Sequence, residues 1–271
     1  MTKIRVISAL VAFISVVVIV MFSGYAGIAI SSFFICIRIL FEYSRIIMVG
    51  DHYKPARMYF VLLGLVAFTV SILRNDLLLH SFVLSTVLLF VQFLLLAKNE
   101  SISLEELVNK TGLCTLGILY AGVCPVYISL LAKLSPNLEW FIFTLLVVFA
   151  GDTAAYFIGI KYGKTKLFPR ISPAKSVEGA MASLFGSVVI GLTIRRFLLP
   201  QTDLFYMLLI CVLTSVVAQL GDLSESMIKR SFNIKDSGHI MPGHGGLLDR
   251  LDGVLFGAPI VYIFAKFLVL T

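Results

Sequence analysis

Near its carboxyl end the chain carries residues 229–252, KRSFNIKDSGHIMPGHGGLLDRLD, a polar stretch in an otherwise apolar sequence. Asp222, Ser226, Lys229 and Arg230 stand at i, i+4, i+7 and i+8, so a helix running through them presents them on one face. Asp249 and Asp252 share a helix face in the same way. Between these pairs, Pro242-Gly243-His244-Gly245-Gly246 cannot be regular helix, and its glycines let backbone N–H groups come close to an anion. Lys229, Arg230, Lys235 and Arg250 supply positive charge around it. Carboxylates beside cations beside a glycine turn suit a magnesium nucleotide, because Mg2+ takes one or two carboxylates and shares its other positions with phosphate oxygens and water. The plainer alternative is a neutralised salt-bridge loop with ordinary glycine turns. The acidic set Asp152, Asp222, Glu225, Asp236, Asp249 and Asp252, set against a basic loop, favours phosphate and metal.

A second polar block lies upstream at 151–179, GDTAAYFIGIKYGKTKLFPRISPAKSVEG. Asp152 falls inside an apolar run, where a carboxylate is costly unless it faces a cavity, a partner or a cation. Lys161, Lys164, Lys166, Arg170 and Lys175 form a basic loop, which read alone is a membrane anchor. Ser172, Lys175, Ser176 and Glu178 just before a helix add phosphate-binding character, since unpaired N–H groups point outward at a helix N-terminus.

The elements that must position these blocks are membrane helices. Hydrophobic residues make up 59% of the 271 and charged ones 14%, against roughly 25% charged in a soluble domain. The expected fold is all-α, a polytopic integral membrane protein forming one domain (1–271) with about nine spans near 6–22, 25–41, 58–73, 77–97, 112–132, 139–159, 179–199, 203–221 and 253–270. Lys3 and Arg5 before the first run also fit a signal peptide, but a second run follows at once and a retained helix is the better reading. With the N-terminus in the cytoplasm, sixteen Lys and Arg fall on the inside and four outside, in line with positive-inside bias. The net charge of +7 is thus mainly topology, and nothing in the sequence suggests nucleic acid. The four cysteines sit in apolar runs and read as buried packing residues. Residues 1–140 hold no chemical motif. Arg38 and His80 are ionisable groups in apolar runs, with snorkelling and a satisfied polar contact as their ordinary readings. Ser103 and Glu106 read as the capping box of a short interfacial helix.

The order Ser226-x-x-Lys229-Arg230, Lys235-Asp236-x-Gly238, Pro242-x-His244-Gly245-Gly246-x-x-Asp249-Arg250-x-Asp252 resembles the signature of the phosphatidate cytidylyltransferases. The upstream block is similar to that family in Asp152-Thr153, Tyr156-Phe157, Gly163-Lys164 and Ser172-Pro173-x-Lys175-Ser176-x-Glu178-Gly179. The catalytic region so defined covers about 150–255 and runs into the last span, 253–270. Met241 replaces the family's usual Leu, Ile or Phe. Gly151 and Ala154 invert its usual pair, and Ser176-Val177 replaces its Thr-Trp.

The resemblance implies that CTP and phosphatidate give CDP-diacylglycerol and pyrophosphate with Mg2+, and a homodimer as the assembly; the loop charges put the site at the cytoplasmic face, and the lack of long hydrophilic extensions suggests a bacterial plasma (inner) membrane. It implies metal ligation by Asp222 and Asp249, with Asp252, Asp236 or Asp152 available to a second cation. Lys229, Arg230, Lys235 and Arg250 would clamp phosphate oxygens, and His244 would donate a hydrogen bond in the turn. Ser172, Lys175, Ser176, Glu178, Ser226, Gly245 and Gly246 would contact substrate. Two rival classes are a CTP-dependent lipid kinase, which would release CDP, and an ion-coupled transporter. A transporter fits less well, because its repeated halves would both carry polar residues.

Overall fold

A computed structural model describes residues 2–99, 102–238, 240 and 245–270, with the side chains of 2–17, 19–21 and 269–270 left aside. Nine α-helices dominate these residues: α1 (Thr2–Ile47), α2 (Lys54–Leu73), α3 (Leu78–Leu96), α4 (Leu104–Gly117), α5 (Cys124–Leu134), α6 (Glu139–Tyr162), α7 (Val177–Phe197), α8 (Leu204–Ser231) and α9 (Leu248–Leu270). Among the described residues eight stretches are long and apolar enough to cross a membrane: Phe22–Ile47, Asp51–Leu73, Asn75–Leu96, Leu104–Leu134, Glu139–Tyr162, Val177–Phe197, Leu204–Ser231 and Leu248–Leu268. They correspond to the second through ninth expected spans. The first, 6–22, is helical backbone of α1 ahead of a kink at Gly24, where φ is +52°, and most of its side chains lie outside the described residues.

The outer surface is apolar in the way lipid contact requires. Along α3, Leu79, Val83, Leu84, Val87, Phe90 and Leu94 are all exposed, a patch far larger than a water-facing monomer tolerates. Inside the bundle, packing is close and polar groups act as interhelical glue. Ser71 and Ser81 hydroxyls meet at 3.0 Å between α2 and α3, and the Tyr43 hydroxyl on α1 donates to the Leu113 carbonyl on α4 at 2.9 Å.

Three local departures from the expected spans carry consequences. The expected second span ends near 41, yet α1 continues to Ile47 and buries Glu42, Tyr43 and Ser44. No glycine or proline interrupts the helix between Gly27 and Gly50; Glu42 and Tyr43 find partners on other elements, and the Ser44 hydroxyl donates to the Phe41 carbonyl within α1. Ser103 does cap α4, accepting from the Glu106 N–H at 3.1 Å. That helix is not a short interfacial one, however, because it runs through a π-helical turn, Ile118–Val123, into α5. Pro125 is accommodated in the first turn of α5, where its missing N–H costs least. The basic loop between α6 and α7 folds into a two-stranded antiparallel hairpin, β1 (Lys166–Phe168) with β2 (Ser172–Ser176), the one sheet among the described residues of an otherwise helical protein.

Helices α6 and α7 pack through small residues. A Cβ added at Gly151 would come within 2.6 Å of the Ser187 hydroxyl and 2.8 Å of that of Ser183. Ser187 donates to the Val147 carbonyl at 3.0 Å, and Ser183 meets Ser215 of α8 at 3.3 Å. Replacement of Gly151 by Val should therefore overpack this seam and lower stability by about 1–3 kcal/mol, measured as a fall in melting temperature of the purified protein in detergent.

Candidate active site

The polar blocks meet where α8 ends and α9 begins. The helix α8 does continue to Ser231, so Asp222, Ser226, Lys229 and Arg230 lie on one uninterrupted helix. α9 starts at Leu248, which places Asp249 and Asp252 in its first two turns. The two helices approach so closely that a Cβ on Gly221 would lie 2.7 Å from the Asp252 carbonyl oxygen. This contact brings the acidic ends of both helices together.

Lys229, only 8% exposed, lies at the centre. Its ammonium donates to Glu225 Oε2 at 3.1 Å and to Asp249 Oδ1 at 2.5 Å. Asp249 in turn gathers the loop, since Oδ2 accepts from the N–H groups of Ser237 at 2.9 Å and Gly246 at 2.8 Å. Gly245 has φ +86°, and a side chain there would run into Asp249 Oδ2 at 2.6 Å, so a glycine is needed for both reasons. A second ion pair joins the upstream block: Lys175 of β2 reaches Asp222 Oδ2 at 2.5 Å, while Ser226 donates to Asp222 Oδ1 at 3.5 Å.

Negative charge exceeds these two lysines. Asp152, Asp222 and Asp252 lie within electrostatic range of one another, and Asp252 and Asp249 within range of Glu225. Asp252 is buried, and its Oδ1 accepts from the Gly253 N–H at 2.8 Å. Glu225 is 1% exposed, and its Oε1 has no hydrogen-bond partner among the described residues. A buried, unpaired carboxylate oxygen amid other carboxylates is expensive, and it is suited to a hard cation. Among the described residues no group of three acidic, histidine or cysteine side chains is arranged to hold a metal ion by itself.

The other expected site residues are placed as follows. Ser176 caps α7, its hydroxyl accepting from the Gly179 N–H at 3.1 Å. Glu178 accepts from the Thr165 N–H at 3.1 Å and so pins the hairpin. The hydroxyl of one and the carboxylate of the other are thus already used in holding β2 against α7. Ser172 begins β2. Arg230 reaches the carbonyls of Ile171 at 3.4 Å and Ile234 at 3.2 Å, tying the hairpin to the loop. Lys235 and Asp236 are exposed on that loop. Arg250 is exposed and within electrostatic range of Asp152. His244 lies outside the described residues.

Two participants were not expected. Glu225 counted only as one more acidic residue, although its position one turn before Lys229 was readable. Glu42, from the half of the chain without a chemical motif, touches the loop directly. Its carboxylate accepts from the Leu248 N–H at 2.9 Å and from the Ser237 hydroxyl at 3.3 Å.

Replacing Lys229 by Met should leave Glu225 and Asp249 buried without their cation, costing about 3–5 kcal/mol of stability. The double variant Lys229→Met/Asp249→Asn should lose clearly less than the sum of the single losses. Unfolding in detergent, followed for both singles and the double, checks this.

The model of the cytidylyltransferase family matches residues 3–268. The chain is 38% identical over 180 residues to the phosphatidate cytidylyltransferase of Bacillus subtilis (strain 168), covering 66% of this chain and 65% of that protein. It is 39% identical over 189 residues to that of Staphylococcus saprophyticus, with 70% of each covered. To that of Staphylococcus haemolyticus it is 35% identical over 175 residues, covering 65% of each. The chain thus spans a little under two thirds of the length of the Bacillus and S. haemolyticus proteins. With its two polar blocks joined at the α8–α9 junction and a family match running almost end to end, this chain belongs to the cytidylyltransferase family.

Proposed function

We propose that the chain is a phosphatidate cytidylyltransferase, joining CTP and phosphatidate to give CDP-diacylglycerol and pyrophosphate. The observation that carries this reading is the paired arrangement Lys175–Asp222 and Lys229–Asp249 at the end of a membrane-embedded helix, in a chain that belongs to a cytidylyltransferase family.

In this reaction an oxygen of the lipid phosphate forms a bond to the α-phosphorus of CTP, and the bond from that phosphorus to the bridging oxygen of the β-phosphate breaks. The electron pair leaves with pyrophosphate. The nucleophile is already anionic near neutral pH, so no general base is needed, and repulsion between two anions is the main barrier. Lys229 and Lys175 are placed to offset it. Each is held against a carboxylate, and a phosphate entering the site can take over the ammonium protons. Positioning and charge stabilisation of this kind dominate phosphoryl-type transfer. Arg230 keeps the hairpin and loop in register, and Lys235 and Arg250 add positive charge at the exposed rim.

The unpaired Glu225 oxygen and the neighbouring carboxylates support a place for Mg2+ completed by phosphate oxygens and water. Asp222 and Asp252, with Asp152 and Glu225 within electrostatic range, would be its carboxylate ligands. The oxygens of Asp249 face loop N–H groups and Lys229, which makes it first the residue that fixes the loop. Bound Mg2+ would neutralise phosphate charge and stabilise the departing pyrophosphate.

The charge bias of the loops supports a cytoplasmic site in a bacterial inner membrane. An N-terminus inside, nine spans and a homodimer complete the proposal. The lipid keeps its acyl chains in the bilayer, beside the exposed apolar Tyr156, Phe157 and Ile160 of α6, while its head reaches the nucleotide.

Purified protein given CTP, phosphatidate and Mg2+ should release pyrophosphate and form CDP-diacylglycerol. Release of CDP with a phosphorylated alcohol would identify a lipid kinase instead. Asp222→Asn should lower turnover by about 100-fold or more, with insertion and melting close to wild type; full turnover in this variant would remove Asp222 from the site.

A further inference from the structure

Glu42 lies five residues before the end of the first described membrane span, nearly 200 positions from the loop it contacts. Its side chain is 1% exposed, and it accepts three hydrogen bonds there. Arg38, one turn earlier on α1, donates from Nε to Oε1 at 3.0 Å and supplies the balancing charge. Oε2 accepts from the Ser237 hydroxyl at 3.3 Å and from the Leu248 N–H at 2.9 Å. These last two contacts fall on Ser237, within the loop that joins α8 to α9, and on Leu248, where that loop ends.

The bond to Leu248 has a particular meaning. Leu248 is the first residue of α9, and the leading N–H groups of a helix have no partner within it. Helices usually satisfy them with a side chain just upstream. Here a carboxylate from a different helix does so, which also favours the positive end of the helix dipole. Asp249 follows immediately, so the same bond fixes the start of the helix that carries Asp249 and Asp252.

The loop is shaped around this carboxylate. A Cβ at Gly238 would lie 2.7 Å from Glu42 Oε1, and one at Gly246 would lie 2.6 Å from Oε2. Both glycines of the loop that flank the contact must therefore be glycines for Glu42 to sit where it does.

We propose that Glu42 is a positioning residue for the active site: it caps α9 from α1, ties Ser237 to the start of that helix, and so holds Asp249 against Lys229. Its effect on turnover rests on the cytidylyl-transfer reading, whereas its hold on the loop can be measured without it.

The test compares Glu42→Gln and Glu42→Ala with wild type in full-length protein in detergent. Backbone hydrogen–deuterium exchange at 237–248 should rise about 10- to 100-fold in Glu42→Gln and at least as much in Glu42→Ala, as loss of charge-assisted hydrogen bonds to a locally opening segment dictates. Exchange in α6 and α7 should stay unchanged. With CTP, phosphatidate and Mg2+, kcat should fall about 10-fold or more while KM for the lipid moves by less than about threefold, the pattern of lost geometry at the reacting groups. If Glu42→Ala does not fold, Glu42→Gln decides alone. Unchanged exchange at 237–248 overturns the proposal, and so does a loosened loop with wild-type kcat. A loosened loop in a protein whose wild type makes no CDP-diacylglycerol would uphold the clamp and refute the reaction instead.

Discussion

Lys229 between Glu225 and Asp249 is the interaction on which the arrangement turns. Taking three charges out of water is costly, and in such a setting mutual attraction repays the cost only when geometry and further hydrogen bonds are good. That requirement reaches outward. α8 must extend to Ser231 as one helix to bring Glu225 and Lys229 together, α9 must begin at Leu248 to present Asp249, and the loop must offer the Ser237 and Gly246 N–H groups. The close α8–α9 crossing at Gly221 then follows as the condition for all of them at once.

The N-terminal helices supply more than membrane anchorage. Besides Glu42, Lys110 of α4 donates to the Ile47 carbonyl at the end of α1. Its ammonium stands 5.5 Å from the Tyr53 ring and 5.2 Å from the Phe232 ring just beyond α8, close enough for cation–π attraction. A single lysine thus joins α1, α4 and the end of α8. The candidate site is framed by helices whose sequence, read by itself, contains no chemical motif.

The sequence made much of this legible, and the pattern of success is physical. Apolar runs set by bilayer thickness located the second through ninth spans, and the helical spacing of Asp222, Ser226 and Lys229, and of Asp249 and Asp252, placed them on shared faces. What stayed hidden was tertiary. Glu42 looked like the beginning of a polar loop, because local hydropathy cannot show that a segment nearly 200 residues away will satisfy its carboxylate. The hairpin 166–176 read as loop because its strands are short and mostly polar. Ser176 and Glu178 have residue types that suit either a phosphate or a helix start, and type alone could not choose between them.

The π-helical turn at Ile118–Val123 sets the relation between the two ends of one membrane span. A π turn fits an extra residue into a helical turn, so the faces of α4 and α5 are offset from the phase of a straight α-helix by roughly 100°. α4 uses its face to present Lys110 and to meet Tyr43, whereas α5 packs against α9. The helix therefore works as a phase shifter, addressing one set of neighbours at its first end and another at its second. Its length in residues is constrained as tightly as its hydrophobicity: deleting one residue from the turn would preserve an apolar span of adequate length, yet would rotate one contact face away from its partners.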